Sequence, residues 1–216
     1  MILGAGPSLD IEAYRGFVGI KIVTDKMYHK TVEENIYSDY AVTLEDSNLS
    51  HYFSKPHLKN KPTIITSIRT PDVTLLALGG EDFNLKIFPY PIMQVTYNVG
   101  LMSYIYAVFQ LKCKEVELNG FDHLYPVQKY NSFDLKHLMW REMFWDVYED
   151  WVPKDVKTTF TGGHKVDFLI QHKKDMIQVH TAEYPGFDDM DNYIRYRRDR
   201  NDRYVRKLNE WGDENH

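Results

Sequence analysis

Short apolar segments rich in β-branched residues alternate with helix-like segments along the first 120 residues of this chain. The segments typical of β-strands are 20–25, 40–46, 63–67, 85–88 and 115–120. The helix-like segments between or beside them are 26–35, 71–80 and 99–112. Successive strands joined through helices pair in parallel, with the helices packed on the sheet. The pattern therefore predicts an α/β fold with a mainly parallel sheet and helices on both faces.

The composition fits one folded core. The 216 residues are 43% hydrophobic and 26% charged, and the 16 tyrosines suggest a surface that stacks on a ligand. The single cysteine, Cys113, excludes a disulfide framework and a cysteine-based zinc site, and it favours a reducing compartment. No segment approaches the ~20 apolar residues that span a bilayer, and the start does not resemble a signal peptide. We therefore expect a cytoplasmic protein without a membrane span.

Charge is distributed unevenly along the chain. The formal net charge is −5, which argues against general nucleic-acid binding. Residues 195–207 nevertheless carry seven Lys or Arg and two Asp, so this segment is locally basic. We interpret 186–216 as a basic helical extension, in which a solvated charged face is the simplest role. The alternative is contact with an acceptor, including nucleic acid, through Arg197, Arg198 and Arg200.

The chain opens with a glycine-containing loop, MILGAGPSL. Gly4 and Gly6 lack a Cβ atom and so allow a sharp turn and close approach to a ligand. Pro7 suits the first turn of a helix, and Ser8 can cap that turn. Free N–H groups of this loop, which also contains Ala5, would favour a phosphate. An ordinary strand-to-helix turn is the alternative, because neither a P-loop nor the dinucleotide fingerprint follows.

A second helix start repeats this logic. Asn98 is a good N-cap for the long apolar segment 99–112, and Gly100 again permits close approach. In parallel sheets, ligands bind beyond the carboxyl ends of the strands. That rule adds further candidates for a nucleotide or donor site: Asp25, Asp46, Asp122, His123 and Tyr125.

These motifs, taken in their order along the chain, resemble the MptE-like superfamily. They are ILGAGPSL, IVTDK, DYAVTLED and YNVGLMSYIYAVFQLKCKEVELNGFDHLY. That superfamily includes archaeal 6-hydroxymethylpterin diphosphokinases and motility-associated glycosyltransferase domains. The arrangement is also similar to that of small bacterial sialyltransferases that use a CMP-sugar. The resemblance covers roughly residues 1–125 and implies a Rossmann-like nucleotide-binding domain.

The distal part of the chain bears on the reaction. In those sialyltransferases a Gly-His pair precedes the last core helix and strand, and its His is the general base. The matching pair here is Gly163-His164. The resemblance therefore implies that His164 takes the proton of an acceptor hydroxyl, with Asp122 beside the reacting groups. A surface His after a Gly-Gly turn is the alternative.

Together these observations predict a glycosyltransferase that moves a sugar from a nucleotide-sugar to a hydroxyl on a glycan, a small molecule or a nucleic acid. We expect a single Rossmann-like domain over 1–185, with a lid inserted at about 123–162, followed by the basic extension. One alternative is a Mg²⁺-dependent diphosphokinase, in which Glu45 and Asp46 would hold the metal. Another is a non-catalytic nucleotide- or nucleic-acid-binding module. The sequence leaves homo-oligomer formation open.

Overall fold

The computed structural model describes residues 1–6, 9–44, 61–67, 70–80, 83–88, 98–121, 144, 147–161 and 164–165. Within these residues the central element is a β-sheet. Its strands are β1 (Ile2–Leu3), β2 (Ile22–Thr24), β3 (Tyr40–Val42), β4 (Thr63–Ser67), β5 (Leu85–Phe88), β6 (Glu115–Asn119), β7 (Lys157–Phe160) and β8 (His164–Lys165).

The strand order across the described sheet is β5-β4-β3-β2-β1-β6-β7-β8. Strands β1 to β7 are mutually parallel, and β8 is antiparallel to β7. The chain starts at β1, adds β2 to β5 on one side, and then returns to add β6 and β7 on the other. The predicted α/β fold with a mainly parallel sheet is confirmed, and its strand order reverses between β1 and β6.

Helices cover both faces of this sheet. They are α1 (Ile11–Gly16), α2 (Asp25–Glu33), α3 (Asp72–Gly80) and α4 (Val99–Ile105). Helix α4 continues as a π-helical turn over Tyr106–Gln110, and a second π-helical turn covers Val147–Trp151. Among the described residues, no helix has the length and apolar character needed to cross a membrane.

Neighbouring residues of each central strand belong to two separate hydrophobic cores. Ile2, Ile22, Val42 and Ile65 pack with α4 and both π-helical turns. Their strand neighbours Leu3, Val23, Ala41 and Ile64 pack with residues of α1, α2 and α3. This is the period of two expected for strands buried on both faces, and it explains the continuous apolar runs of the sequence.

Tyrosines contribute more to these cores than the composition suggested. Tyr14, Tyr28, Tyr104 and Tyr106 are all buried. Burial raises the pKa of Tyr28 to about 12, so its hydroxyl is neutral at physiological pH. At these four positions the tyrosines serve packing, and a stacking surface formed by the others stays a prediction.

The end of the predicted lid forms part of the sheet. Strand β7 pairs with β6, and Val147, Trp151 and Phe160 pack in the same core as α4. Within the range predicted for the lid, residues 147–161 thus contribute a π-helical turn to the core and strand β7 to the sheet. The earlier part of that insertion falls outside the described residues apart from Phe144, and so does the extension 186–216.

Isoleucines on adjacent strands provide a test of this architecture. Ile65 on β4 is 0% exposed, whereas Ile87 on β5 is 59% exposed. We expect Ile65→Ala to lower the free energy of unfolding by about 2–5 kcal/mol, because it leaves a cavity in the core. Ile87→Ala should change it by no more than about 0.5 kcal/mol. Urea unfolding of both variants measures this difference, and equal losses would contradict the assigned burial.

Candidate functional site at the carboxyl edge of the sheet

The loops that follow β1 and β6 leave the sheet side by side, where the strand order reverses. The Gly4 N–H donates to the Asn119 carbonyl at 2.7 Å, and the Gly6 N–H donates to the Gly120 carbonyl at 2.8 Å. These hydrogen bonds extend the β1–β6 pairing beyond the strands. In doubly wound sheets, the crevice at such a reversal is the usual position of a bound ligand.

Three glycines at this edge are required by contacts within the protein. A Cβ atom on Gly4 would lie 2.7 Å from the Gly120 carbonyl oxygen, and one on Gly120 would lie 2.5 Å from that of Gly4. A Cβ atom on Gly100 would lie 2.6 Å from Cε1 of Phe121. The buried Phe121 ring thus lies against both Gly4 and Gly100. The close approach that the sequence analysis attributed to a ligand is, at Gly4 and Gly100, an approach by the protein itself.

The start of α1 differs from the expected phosphate-binding helix start. The helix begins at Ile11, and the Asp10 carboxylate caps it by accepting from the Ala13 N–H at 2.9 Å. The sequence pattern predicts the first turn at Pro7 and Ser8 instead. A carboxylate already occupies the positive end of the helix dipole, so a phosphate there would meet a negative charge. Pro7 and Ser8 themselves lie outside the described residues.

Most described N–H groups of the opening loop are also engaged. Gly4 and Gly6 donate to residues 119 and 120, as given above, and Leu9 donates to the Gly6 carbonyl at 3.1 Å. The Asp10 N–H donates to Oδ1 of Asn119 at 2.9 Å. Ala5 is exposed, and its N–H has no acceptor among the described residues. Among the described residues of the loop, Ala5 is thus the one whose N–H is left for a ligand.

The start of α4 fits a ligand better. Asn98 is the N-cap, as predicted, and its side chain accepts from the Leu101 N–H at 3.0 Å. The N–H groups of Val99 and Gly100 belong to the first turn, where no intrahelical acceptor exists. They have no acceptor in the part of the chain that the structure describes. Because the cap is a neutral amide, this end of the helix keeps its partial positive charge.

Buried polar side chains lie at the carboxyl ends of β2, β3 and β4, on the same edge. Asp25 is 1% exposed, and its Oδ2 accepts from Oγ1 of Thr43 at 3.2 Å. Its Oδ1 accepts from the Lys26 N–H at 2.7 Å. One strand further out, the hydroxyls of Thr66 and Thr70 lie 2.6 Å apart. The predicted candidate Asp25 therefore lies at the expected edge, whereas the threonines were missed.

Asn119 is the second polar group that the sequence analysis missed. It is the last residue of β6 and is 0% exposed. Its side-chain nitrogen donates to the Asp10 carbonyl at 2.7 Å and lies 3.7 Å from Sδ of Met1. The available signal was the Asn-Gly pair after an apolar strand, which is typical of a turn.

His164 lies on the outermost described strand beyond β7. It pairs with Phe160, which pairs with Leu118, which in turn pairs with Ile2. The backbone of His164 is therefore level with the carboxyl ends of β7, β6 and β1. Three interstrand spacings separate β8 from β1, or roughly 14 Å. Lys165 continues β8.

Several predicted site residues are not among those that the structure describes. Besides Pro7 and Ser8, they are Glu45, Asp46, Asp122, His123, Tyr125, Arg197, Arg198 and Arg200. Within the described ranges, no group of three or more His, Cys, Asp or Glu side chains is arranged to hold a metal ion. The Mg²⁺ site at Glu45 and Asp46 stays a prediction.

Comparison of the chain with protein-family models, with curated proteins and with solved structures finds no match. The fold and the edge geometry define the class: an α/β protein with a Rossmann-like sheet.

The glycine contacts generate a mutational test. We expect Gly4→Ala to lower the free energy of unfolding by about 1–3 kcal/mol, because the new Cβ atom would meet a backbone carbonyl. Gly16→Ala is the matched control, since a Cβ atom at the end of α1 meets nothing within 4 Å. It should cause no loss, or a gain of up to about 1 kcal/mol. Thermal or urea unfolding distinguishes the two variants.

Gly100→Ala extends this test to the Phe121 ring. Gly100→Ala should lower the free energy of unfolding less in a Phe121→Leu background than in the parent, because the smaller Leu side chain removes the clash. Strictly additive losses in the double-mutant cycle would contradict the contact between Gly100 and Phe121.

Proposed function

We propose that this chain is a nucleotide-dependent transferase whose donor binds at the carboxyl edge, at the reversal of strand order between β1 and β6. The observation that carries the proposal is the reversal of strand order between these strands. In doubly wound sheets, nucleotides bind at such a reversal, in the crevice outside the carboxyl ends of the strands. The exposed loop at Ala5 and the first turn of α4 border this edge.

The first turn of α4 is the part of this edge that best suits a phosphate. Its Val99 and Gly100 N–H groups and the dipole of the helix offer partial positive charge. Asp25 plays a supporting role in this proposal. It is buried and bonded to Thr43, so it holds the ends of β2 and β3 in place beneath the ligand.

The transfer that we favour moves a sugar from a nucleotide-sugar to an acceptor hydroxyl. A general base takes the hydroxyl proton while the acceptor oxygen bonds to the anomeric carbon. The bond from that carbon to the phosphate oxygen breaks, and the phosphate leaves with the electron pair. We assign the base to His164 and the stabilisation of the leaving phosphate to the α4 N–H groups.

The sequence resemblance to the MptE-like superfamily supports a nucleotide-dependent transfer, and the Gly163-His164 pair shared with small CMP-sugar sialyltransferases favours sugar transfer over the diphosphokinase reaction. In this proposal Asp122, His123 and Tyr125 approach the donor, and the basic extension contacts the acceptor. The half-buried thiol of Cys113 suits a reducing compartment, and a cytoplasmic location is part of the proposal.

A nucleotide panel tests the proposed donor class. Thermal shift is measured with CMP, UDP, GDP, ADP and ATP, each with and without Mg²⁺. A ligand at 100 times its dissociation constant should raise the apparent stability by about 2.7 kcal/mol. Stabilisation by CMP, UDP or GDP is the expected result. A response to ATP with Mg²⁺ alone would favour the diphosphokinase, and no response to any nucleotide would contradict the proposal.

Replacement of His164 tests the proposed base. His164→Ala should lower the turnover of sugar transfer by roughly 10²–10⁴-fold and leave donor affinity unchanged, because the base contacts the acceptor. In the parent, the rate should fall as the pH drops below the ordinary His pKa of about 6.5, since a protonated imidazole cannot accept the proton.

His29→Ala is the matched control for His164→Ala. His29 lies within α2, and its Nε2 is 3.2 Å from the Glu33 carboxylate. This variant should keep the activity of the parent. Release of nucleotide from the sugar donor follows the reaction in both variants, and full transfer by His164→Ala would rule out the assignment.

A further inference from the structure

The opening loop is held at both of its ends by two consecutive residues of the β6 strand end. The carbonyls of Asn119 and Gly120 accept from Gly4 and Gly6, at the start of the loop. The Asn119 side chain then binds Asp10, at the end of the loop, through both polar atoms of its amide. Residues 119 and 120 thus fix where the loop leaves β1 and where it enters α1.

The side-chain amide of Asn119 complements the Asp10 backbone in one orientation only. Its oxygen accepts from the Asp10 N–H at 2.9 Å, and its nitrogen donates to the Asp10 carbonyl at 2.7 Å. In a flipped amide, the Asn119 NH₂ group would face the Asp10 N–H, and its oxygen would face the Asp10 carbonyl oxygen, so neither hydrogen bond could form. Asn is therefore required by hydrogen bonding, and a side chain of similar size without both groups cannot replace it.

This contact acts on the same edge as the proposed donor site. Asp10 caps α1, so the two hydrogen bonds between Asn119 and Asp10 also determine where that helix begins. Between the fixed residues the loop carries Ala5, whose N–H has no acceptor among the described residues. A loop that is ordered before binding loses less conformational entropy when it binds.

We propose that Asn119 is a positioning residue for the nucleotide site: by holding Asp10, it keeps the described residues of the opening loop (4–6, 9 and 10) where they border the donor. The proposal rests on the proposed function. A purely structural role would predict that loss of the amide lowers stability and leaves the affinity of the folded protein unchanged.

The test compares Asn119→Ala with Thr158→Val. Thr158 is buried on β7, and its hydroxyl lies 2.6 Å from the Tyr104 hydroxyl. Thr158→Val removes a buried hydrogen bond between β7 and the last turn of α4, away from the opening loop. Urea unfolding establishes how much stability each variant loses. Titration calorimetry, at a temperature where both are folded, then measures binding of CMP, UDP, GDP, ADP and ATP with Mg²⁺.

We expect Asn119→Ala to bind the preferred nucleotide of the parent about tenfold or more weakly, because the loop is misplaced. Thr158→Val should bind it as the parent does. Hydrogen exchange at the Asp10 amide should accelerate in Asn119→Ala alone, because this N–H loses its acceptor. If Asn119→Ala does not fold, Asn119→Leu, which fills a similar volume without polar groups, takes its place.

The outcomes separate the positioning role from the proposed function. If the parent binds a nucleotide and Asn119→Ala binds it equally well, the positioning role is overturned and the proposed function stands. Equal weakening in Asn119→Ala and Thr158→Val also overturns it, since the effect then follows stability. If the parent binds none of the nucleotides, the proposed function fails and the positioning role fails with it.

Discussion

The backbones of Gly4 and Gly120 approach each other so closely that neither residue can carry a side chain without displacing the other. A Cβ atom on either residue would lie within 2.7 Å of the opposite carbonyl oxygen, and Gly120 has a φ of +73°. This contact keeps the loops after β1 and β6 together at the reversal of strand order. It also places Phe121 against Gly4 and Gly100, so the opening loop and the start of α4 share one buried ring. The geometry of the carboxyl edge therefore depends on one backbone contact.

This packing decides which groups are left for a ligand. The space beside Gly4, Gly100 and Gly120 is filled by other atoms of the protein, and the Asp10 carboxylate already occupies the positive end of α1. The first turn of α4 differs, because its cap is the neutral Asn98 and two of its N–H groups have no acceptor among the described residues. We therefore assign the phosphate to the first turn of α4. The opening loop borders the site, and Asn119 holds it in position.

Local sequence signals predicted the parts of the fold that depend on nearby residues. β4 and β5 occupy the predicted ranges, and Asn98 caps α4 as expected, because strand patterns and caps are set within a few residues. The start of α1 was predicted too early, because Gly-Pro-Ser resembles a helix start. The structure instead ends the loop at Asp10, held by Asn119, which is 109 residues away in the chain. Similarly, the sequence shows that Gly100 needs close approach, but only the fold identifies Phe121 as the neighbour.

Backbone NMR during a nucleotide titration tests the central claim, that the ligand binds at the carboxyl edge where the strand order reverses between β1 and β6. The account predicts that the amide signals of Ala5, Val99 and Gly100 shift with the nucleotide. The signals of Lys21 and Lys157, at the opposite ends of the strands, should stay unchanged. Shifts confined to that opposite edge would contradict the account.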